Sequence, residues 1–321
     1  MNETSRSPEH DVVVIGGGAA GLSAALTLAR ARRSVLVIDS GSPRNAPAAH
    51  MHGYPGHDGI DPAEWRSRAR DEAAGYGARF TDGTAIAADP LPDGGFLVRL
   101  GDGSTASARR MLVTTGLTDE LPDVPGLAAR WGRDVLHCPY CHGWEVRDRP
   151  VAVLATGPLA VHQAQLWRQW TDRVTLLAHT TTPTGEERRE LTARGIAVAG
   201  GRVTGLRTTP EGRLAGAVLA DGTTVACEAL VVAPRFTARA ALLTGLGLGV
   251  TDVRQAGRSI GTAVDCDPLT GATAVPGVWV AGNVTAPAET VLGSAGQGLR
   301  AAAAINADLV AEEVRRAVAG R

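Results

Sequence analysis

Cys138 and Cys141 are separated by two residues in the stretch His137-Cys138-Pro139-Tyr140-Cys141-His142-Gly143-Trp144. Thiols at that spacing can close into a disulfide and reopen, moving two electrons each time. Pro139 suits the first turn of a helix, where its missing N–H costs nothing. Cys138 would then stand at that helix's N-terminus, where the dipole favours a thiolate. His137 and His142 flank the sulfurs and can trade protons near neutral pH. Zinc binding is the competing use of this cluster, but a second C-x-x-C or an H-x-x-x-H to complete it is missing. No metal is expected. Cys227 and Cys266 are isolated and read as packing residues.

A second chemistry is written near the start. Gly16, Gly17, Gly18 and Gly21 follow the apolar run 11–15 and precede residues 22–31, whose apolar spacing is helical. A further apolar run, 34–38, ends at Asp39. This is strand, tight turn, helix, strand. Gly16 makes the turn, Gly18 admits a pyrophosphate to the backbone, and Gly21 lets helix and strand pack closely. The helix N-terminus offers amides to the phosphates, and Asp39 can accept from ribose hydroxyls. Dinucleotide binding follows from that context.

The same pattern recurs at 151–154, 159–170 and 174–177. Here, however, the turn reads Ala155-Thr156-Gly157-Pro158-Leu159-Ala160, with only the middle glycine kept. A Cβ at position 155 disfavours the backbone such a turn often needs. Ala178-His179-Thr180 offers no ribose-binding carboxylate and no paired arginines. We read a nucleotide fold that has lost its phosphate clamp.

The elements that must hold these groups are legible in outline. Residues 80–110 read as strands with turns at Asp93-Gly94-Gly95 and Gly101-Asp102-Gly103; 278–281 reads as a strand and 290–318 as a long helix. The segment 40–59 is rich in Gly, Pro and His and has no pattern, and loops of that length in compact domains are usually functional. The chain has 321 residues, 44% of them hydrophobic, enough for two domains. Its net charge of −1 gives no field to collect nucleic acid and no patch for a membrane. No run approaches a membrane span and the polar start is no signal peptide, so a cytoplasmic protein is expected.

Taken in order, the glycines 16–21, Thr114-Thr115-Gly116, the C-x-x-C before a second βαβ unit, and Ala281-Gly282-Asn283 before the last helix resemble the low-molecular-weight thioredoxin reductases over nearly the whole chain. That resemblance implies an α/β fold of two Rossmann-like nucleotide-binding domains, the second inserted into a discontinuous FAD domain. The FAD domain would be 1–116 with 239–321, and 117–238 a degenerate nicotinamide-type domain carrying the C-x-x-C. Within the family, Cys138-Pro139-Tyr140-Cys141-His142-Gly143, Asp39-Ser40-Gly41-x-x-Arg44-Asn45 and His50-Met51-His52 are similar to the dithiol oxidases that close disulfides in natural products such as gliotoxin and holomycin, most of all the holomycin-type bacterial enzymes.

The resemblance further implies site residues. Gly16, Gly17, Gly18, Gly21, Asp39, Ser40, Arg44, Asn45, His50, Thr115 and Gly282 would line the FAD. Asn283 stands where the family has Asp, on the ribityl chain, and Thr290 and Val291 would aim backbone amides at the flavin's pyrimidine end. Cys138 would exchange with substrate and Cys141 would face the flavin. His142, at the family's acid–base position, would move protons, with His137 as a second candidate. Tyr140, Trp144 and Tyr54 could wall in a compact heterocycle. The implied partners are a small-molecule dithiol, O2 (giving H2O2) and a second copy in a homodimer. The alternative is an NAD(P)H- or ferredoxin-dependent thioredoxin-type disulfide reductase.

Overall fold

The computed structural model describes residues 8–255 and 257–320. Its first strand, β1 (His10–Ile15), buries Val12, Val13 and Val14 completely, as a parallel strand covered on both faces requires. The glycines lead into α1 (Ala19–Arg30), and β2 (Val35–Asp39) returns parallel to β1 with Val12 opposite Val35. α2 (Pro62–Gly75) follows the long loop, and β3 (Arg79–Asp82) pairs with β2. β4 (Ala85–Pro90), β5 (Phe96–Leu100) and β6 (Thr105–Val113) form the expected meander, with β6 lying parallel to β1.

β7 (Leu117–Glu120) leads out to a second parallel sheet. Along the chain come β8 (Val135–Leu136), α3 (Pro139–His142), β9 (Val151–Leu154), α4 (Leu159–Trp167), β10 (Val174–Ala178), α5 (Gly185–Ala193) and β11 (Ala197–Gly200). A small antiparallel sheet is built from β12 (Val203–Thr208), β13 (Leu214–Leu219) and β14 (Thr224–Val225). β15 (Ala229–Val231) then completes the second parallel sheet, in the order β11-β10-β9-β15-β8. α4 ends at Trp167, short of the expected Trp170. Its last amides tighten to partners three residues back (Gln169 on Leu166, Trp170 on Trp167), and that turn sets Trp170 edge-on to Tyr140.

β16 (Arg235–Ala238) brings the chain back beside β7, antiparallel, with Arg235 opposite Glu120 and Ala238 opposite Leu117. After α6 (Ala241–Thr244), β17 (Val250–Gln255) and β18 (Arg258–Val264), β19 (Val278–Val280) joins the first sheet parallel to β6, Val278 facing Met111. α7 (Val291–Val318) crosses α1. A Cβ on Gly298 would lie 2.0 Å from the Ala20 carbonyl oxygen, so only glycine permits that crossing. This is a mixed α/β fold with two Rossmann-type sheets. Among the described residues no helix is long and apolar enough to cross a membrane.

Candidate functional site

The turn between β1 and α1 is shaped for a phosphate. Gly16 takes φ +111°, open to glycine, and Thr114 Oγ1 donates to the Ile15 and Gly16 carbonyls at 3.0 and 2.9 Å to hold it. A Cβ on Gly21 would collide with the Gly16 carbonyl at 1.9 Å, and one on Gly17 would lie 2.6 Å from Asp39 Oδ2. At Gly18 the same atom would meet nothing within 4 Å. The bend is therefore packed on the inside and open on the outside, where Gly18 caps α1 with backbone alone. Asp39 lies across this loop, its Oδ2 accepting from Arg66 Nη1 at 3.0 Å. An open glycine concavity, helix amides and a flanking carboxylate fit the diphosphate and ribose of a dinucleotide.

The two cysteines are joined as a disulfide, Cα to Cα 5.3 Å, with Cys138 capping α3 and Pro139 in its first turn as expected. α3 has only four residues, so its dipole is small and the burden of charge control falls on neighbouring side chains. Gly143 closes the turn: a Cβ there would lie 2.5 Å from the Pro139 carbonyl oxygen and 2.9 Å from the Trp170 ring. Tyr140 and Trp144 stand 70% and 63% exposed beside the pair. Tyr54 packs instead against Trp65, ring centroids 5.9 Å apart.

The two flanking histidines have different surroundings. His137 Nδ1 lies 3.0 Å from the Val232 carbonyl, so that nitrogen carries the proton and donates, and its ring meets Phe236 edge-on at 5.4 Å. Burial pushes its basicity below the usual value. Burial also lowers His142; Glu145 pulls it back up and His52 pushes it down. Neither Glu145 nor His52 is among the expected site residues. His52 arrives from the patternless loop, and only the spacing of Glu145, three residues after His142, hinted at its position.

Several expected FAD neighbours are committed to one another. Arg44 donates from Nε and Nη2 to Asp119 at 2.8 and 2.7 Å and from Nη1 to Asn283 Oδ1 at 3.2 Å. Asn283 Nδ2 donates to the Ala286 and Glu289 carbonyls, both at 3.0 Å. Thr290 caps α7: its hydroxyl accepts from Gly293 N at 3.3 Å, while its own amide donates to Glu289 Oε1 at 2.9 Å. Val291 begins the helix. Gly282, at φ +82°, donates to Gln297 Oε1 at 2.8 Å. Thr115 Oγ1 donates to the Arg239 carbonyl at 2.7 Å. His50 Nδ1 lies 3.1 Å from the Gly59 carbonyl, and Asn45 accepts from Ala48 N through its own carbonyl. Ser40 is exposed at the end of β2.

The second turn differs. Ala155 is buried, with its amide on Leu177 and its carbonyl taken by Thr180 N at 3.0 Å. Pro158 caps α4 and has no amide to offer. His179 Nδ1, one residue past β10, accepts from Val203 N at 2.9 Å and is spent on β12. Cys227 is buried, which pushes its thiol up to about 12, while Cys266 Sγ lies 3.0 Å from Thr285 Oγ1.

A family model described as pyridine nucleotide-disulphide oxidoreductase matches residues 10–306. The thioredoxin reductase sirT of Leptosphaeria maculans is 31% identical over 92% of this chain and 93% of its own. The thioredoxin reductase tcpT of Claviceps purpurea is 40% identical, but that match spans 53% of this chain and 55% of the relative. The crystal structure of HlmI superposes with a TM-score of 0.89 at 46% identity, covering 99% of this chain and 98% of that one. With the glycine cradle and the cysteine pair both in place, the chain belongs to the pyridine nucleotide-disulphide oxidoreductase family, as a flavin-dependent disulfide oxidoreductase of the thioredoxin reductase-like kind that binds FAD.

Proposed function

We propose that the protein oxidises a small-molecule dithiol to its intramolecular disulfide at Cys138–Cys141, with O2 as final acceptor and H2O2 as by-product. Residues 1–116 with 239–321 form the FAD unit in this reading, and 117–238 the unit that carries the pair. The observation that carries it is the second nucleotide turn: buried Ala155, the amide-less Pro158 and the engaged His179 leave little to hold a nicotinamide dinucleotide. The paired cysteines beside His142 remain complete. The resemblance to gliotoxin- and holomycin-type dithiol oxidases supports the same direction. A cytoplasmic homodimer completes the proposal.

The chain's own groups act as follows. His142, kept neutral at pH 7 by burial, removes the proton from one substrate thiol. The thiolate attacks Cys138 Sγ, the Cys138–Cys141 bond breaks, and Cys141 leaves as thiolate. The second substrate thiolate then displaces Cys138 and closes the product disulfide, leaving two electrons on the pair. Gly16–Gly18 and Asp39 would hold FAD, which would supply a two-electron acceptor for the reduced cysteine pair. Tyr140 and Trp144 offer exposed aromatic faces to a flat heterocycle.

Oxygen uptake with a model dithiol, run with and without NADPH, tests the reading. Uptake matched one to one by disulfide and independent of NADPH is expected. Stoichiometric NADPH consumption without oxygen would instead establish the reductase alternative.

A further inference from the structure

How readily a cysteine pair closes depends on how firmly the chain holds its two thiols together. α3 holds them weakly by itself. It has four residues, with Cys141 N and His142 N donating to the Cys138 carbonyl at 3.3 and 3.2 Å and Gly143 N to the Pro139 carbonyl at 2.6 Å. A helix that short does not sustain itself in water. Once the Cys138–Cys141 bond opens, groups outside the turn must keep the sulfurs in reach of each other.

That support comes from the turn that follows α4. The Trp170 ring lies against Gly143, where a Cβ would be 2.9 Å from two of its carbons, and it meets Tyr140 edge-on, centroids 5.5 Å apart and planes at 87°. Tyr140 precedes Cys141 and Gly143 follows His142, so one side chain touches the turn on both sides of Cys141. The backbone is tied at the same place. The Trp170 carbonyl accepts from Asp148 N at 3.0 Å, and Thr171 Oγ1 donates to the Arg149 carbonyl at 2.7 Å. Asp148 takes φ +60°, a conformation that residues with a side chain rarely adopt, and it does so where the Trp170 bond is made. Behind Trp170 stands Trp167, fully buried in the core of the second sheet, with ring centroids 6.2 Å apart.

We propose that Trp170 is a positioning residue for the redox pair: by holding Tyr140 and Gly143 it keeps Cys138 and Cys141 together and stabilises the disulfide against the dithiol. A pair held this way gives up its electrons readily. The role is the same in either direction of electron flow, since both directions use the same two sulfurs.

Anaerobic equilibration of the FAD-loaded protein with mixtures of reduced and oxidised dithiothreitol reads that stability. Dithiothreitol gives up two electrons and two protons as its ring closes; the Cys138–Cys141 bond breaks, and the two sulfurs and the solvent take up the protons. Alkylating the free thiols and weighing the peptide that carries both cysteines gives the fraction reduced. Trp170→Leu shifts the equilibrium toward the dithiol by about three- to tenfold, the worth of one aromatic pair, and tenfold is a rise in potential of about 30 mV. Trp170→Phe, which keeps an aromatic ring, recovers most of the shift. Tyr140→Leu, at a position 70% exposed where folding is not at stake, moves the equilibrium in the same sense. Val161→Ala, in α4 and in the same core as Trp167, lowers the melting temperature and leaves the equilibrium in place. An equilibrium that stays put or moves toward the disulfide, in Trp170→Leu or in Tyr140→Leu, overturns the proposal. So does a Val161→Ala shift as large as that of Trp170→Leu, which would make the effect one of general stability. The measurement uses neither oxygen nor a nicotinamide, so an absence of oxygen uptake with dithiols tells against the functional reading alone.

Discussion

Arg44 grips Asp119 with two edges of its guanidinium, Nε to Oδ2 at 2.8 Å and Nη2 to Oδ1 at 2.7 Å, and lies 5.2 Å above the Phe236 ring. Asp119 belongs to β7 and Phe236 to β16, the two strands by which the chain leaves and re-enters its first sheet. One side chain from the loop after β2 thus fastens both connections, and its third nitrogen reaches Asn283.

Arg44→Ala therefore strands a carboxylate whose side chain is 8% exposed. The expected loss is about 2 kcal/mol, below that of a fully buried pair because Arg44 keeps partial contact with solvent. Arg44→Lys keeps the charge but not the two-pronged geometry and should fall between. Urea unfolding of the three proteins checks the order.

Gly18→Ala and Gly21→Ala should fail in different ways. The Cβ at 18 meets no protein atom, so the fold survives while the methyl group fills the space a diphosphate needs. That variant melts like wild type but carries little flavin absorbance. The Cβ at 21 drives into the Gly16 carbonyl at 1.9 Å, so α1 must shift and thermal stability falls together with flavin content. Absorbance per chain and a melting curve separate the two.

Asn283→Asp replaces a donor with an acceptor. The amide nitrogen now serves the carbonyls of Ala286 and Glu289, and a carboxylate oxygen there would face them without a proton. The gain of charge toward Arg44 offsets part of this. A net loss of about 1 kcal/mol is expected, in line with a buried hydrogen bond lost, and is measured from the denaturation midpoint.

Acid should weaken the fold well before its carboxylates titrate. His137 and His142 are both held below the ordinary imidazole value of 6.5, burial being the main cause, so the unfolded chain binds protons that the folded one refuses. Stability is then unaffected above about pH 7 and falls as pH drops through 6.5, levelling once the folded imidazoles titrate. Urea midpoints at pH 7.5 and 5.5 measure the fall, and His137→Gln, with one such group removed, should show a smaller difference.

The sequence was most informative where function depends on local spacing. The first βαβ unit needs only neighbours in the chain: a valine run, glycines, a helical stripe and Asp39. The cysteine turn is equally local, and Pro139 alone placed Cys138 at a helix start. Partnerships made across distance were not legible. Arg44 suits an anion of any origin, and nothing near it announces Asp119, 75 residues on. His52 comes from a loop without pattern, and nothing near it in the chain announces Glu145, 93 residues on and 3.3 Å from its Nε2. α2 offers little apolar stripe to read, since it buries only Pro62, Trp65 and Ala73, although Asp61 and Pro62 form a start signal.

The pairing of β19 with β6 has a consequence for how the protein is made. Val278, Trp279 and Val280 must lie against Met111, Leu112 and Val113, yet the whole second sheet is synthesised between them. Until β19 and α7 have been made, the 111–113 end of β6 lacks its partner on one side and α1 lacks the helix that crosses it. The intervening sheets can fold as they emerge, whereas the flavin seat is finished only once β19 and α7 are in place. Truncation anywhere before β19 leaves the 111–113 end of β6 unpaired, an edge prone to pairing with other chains.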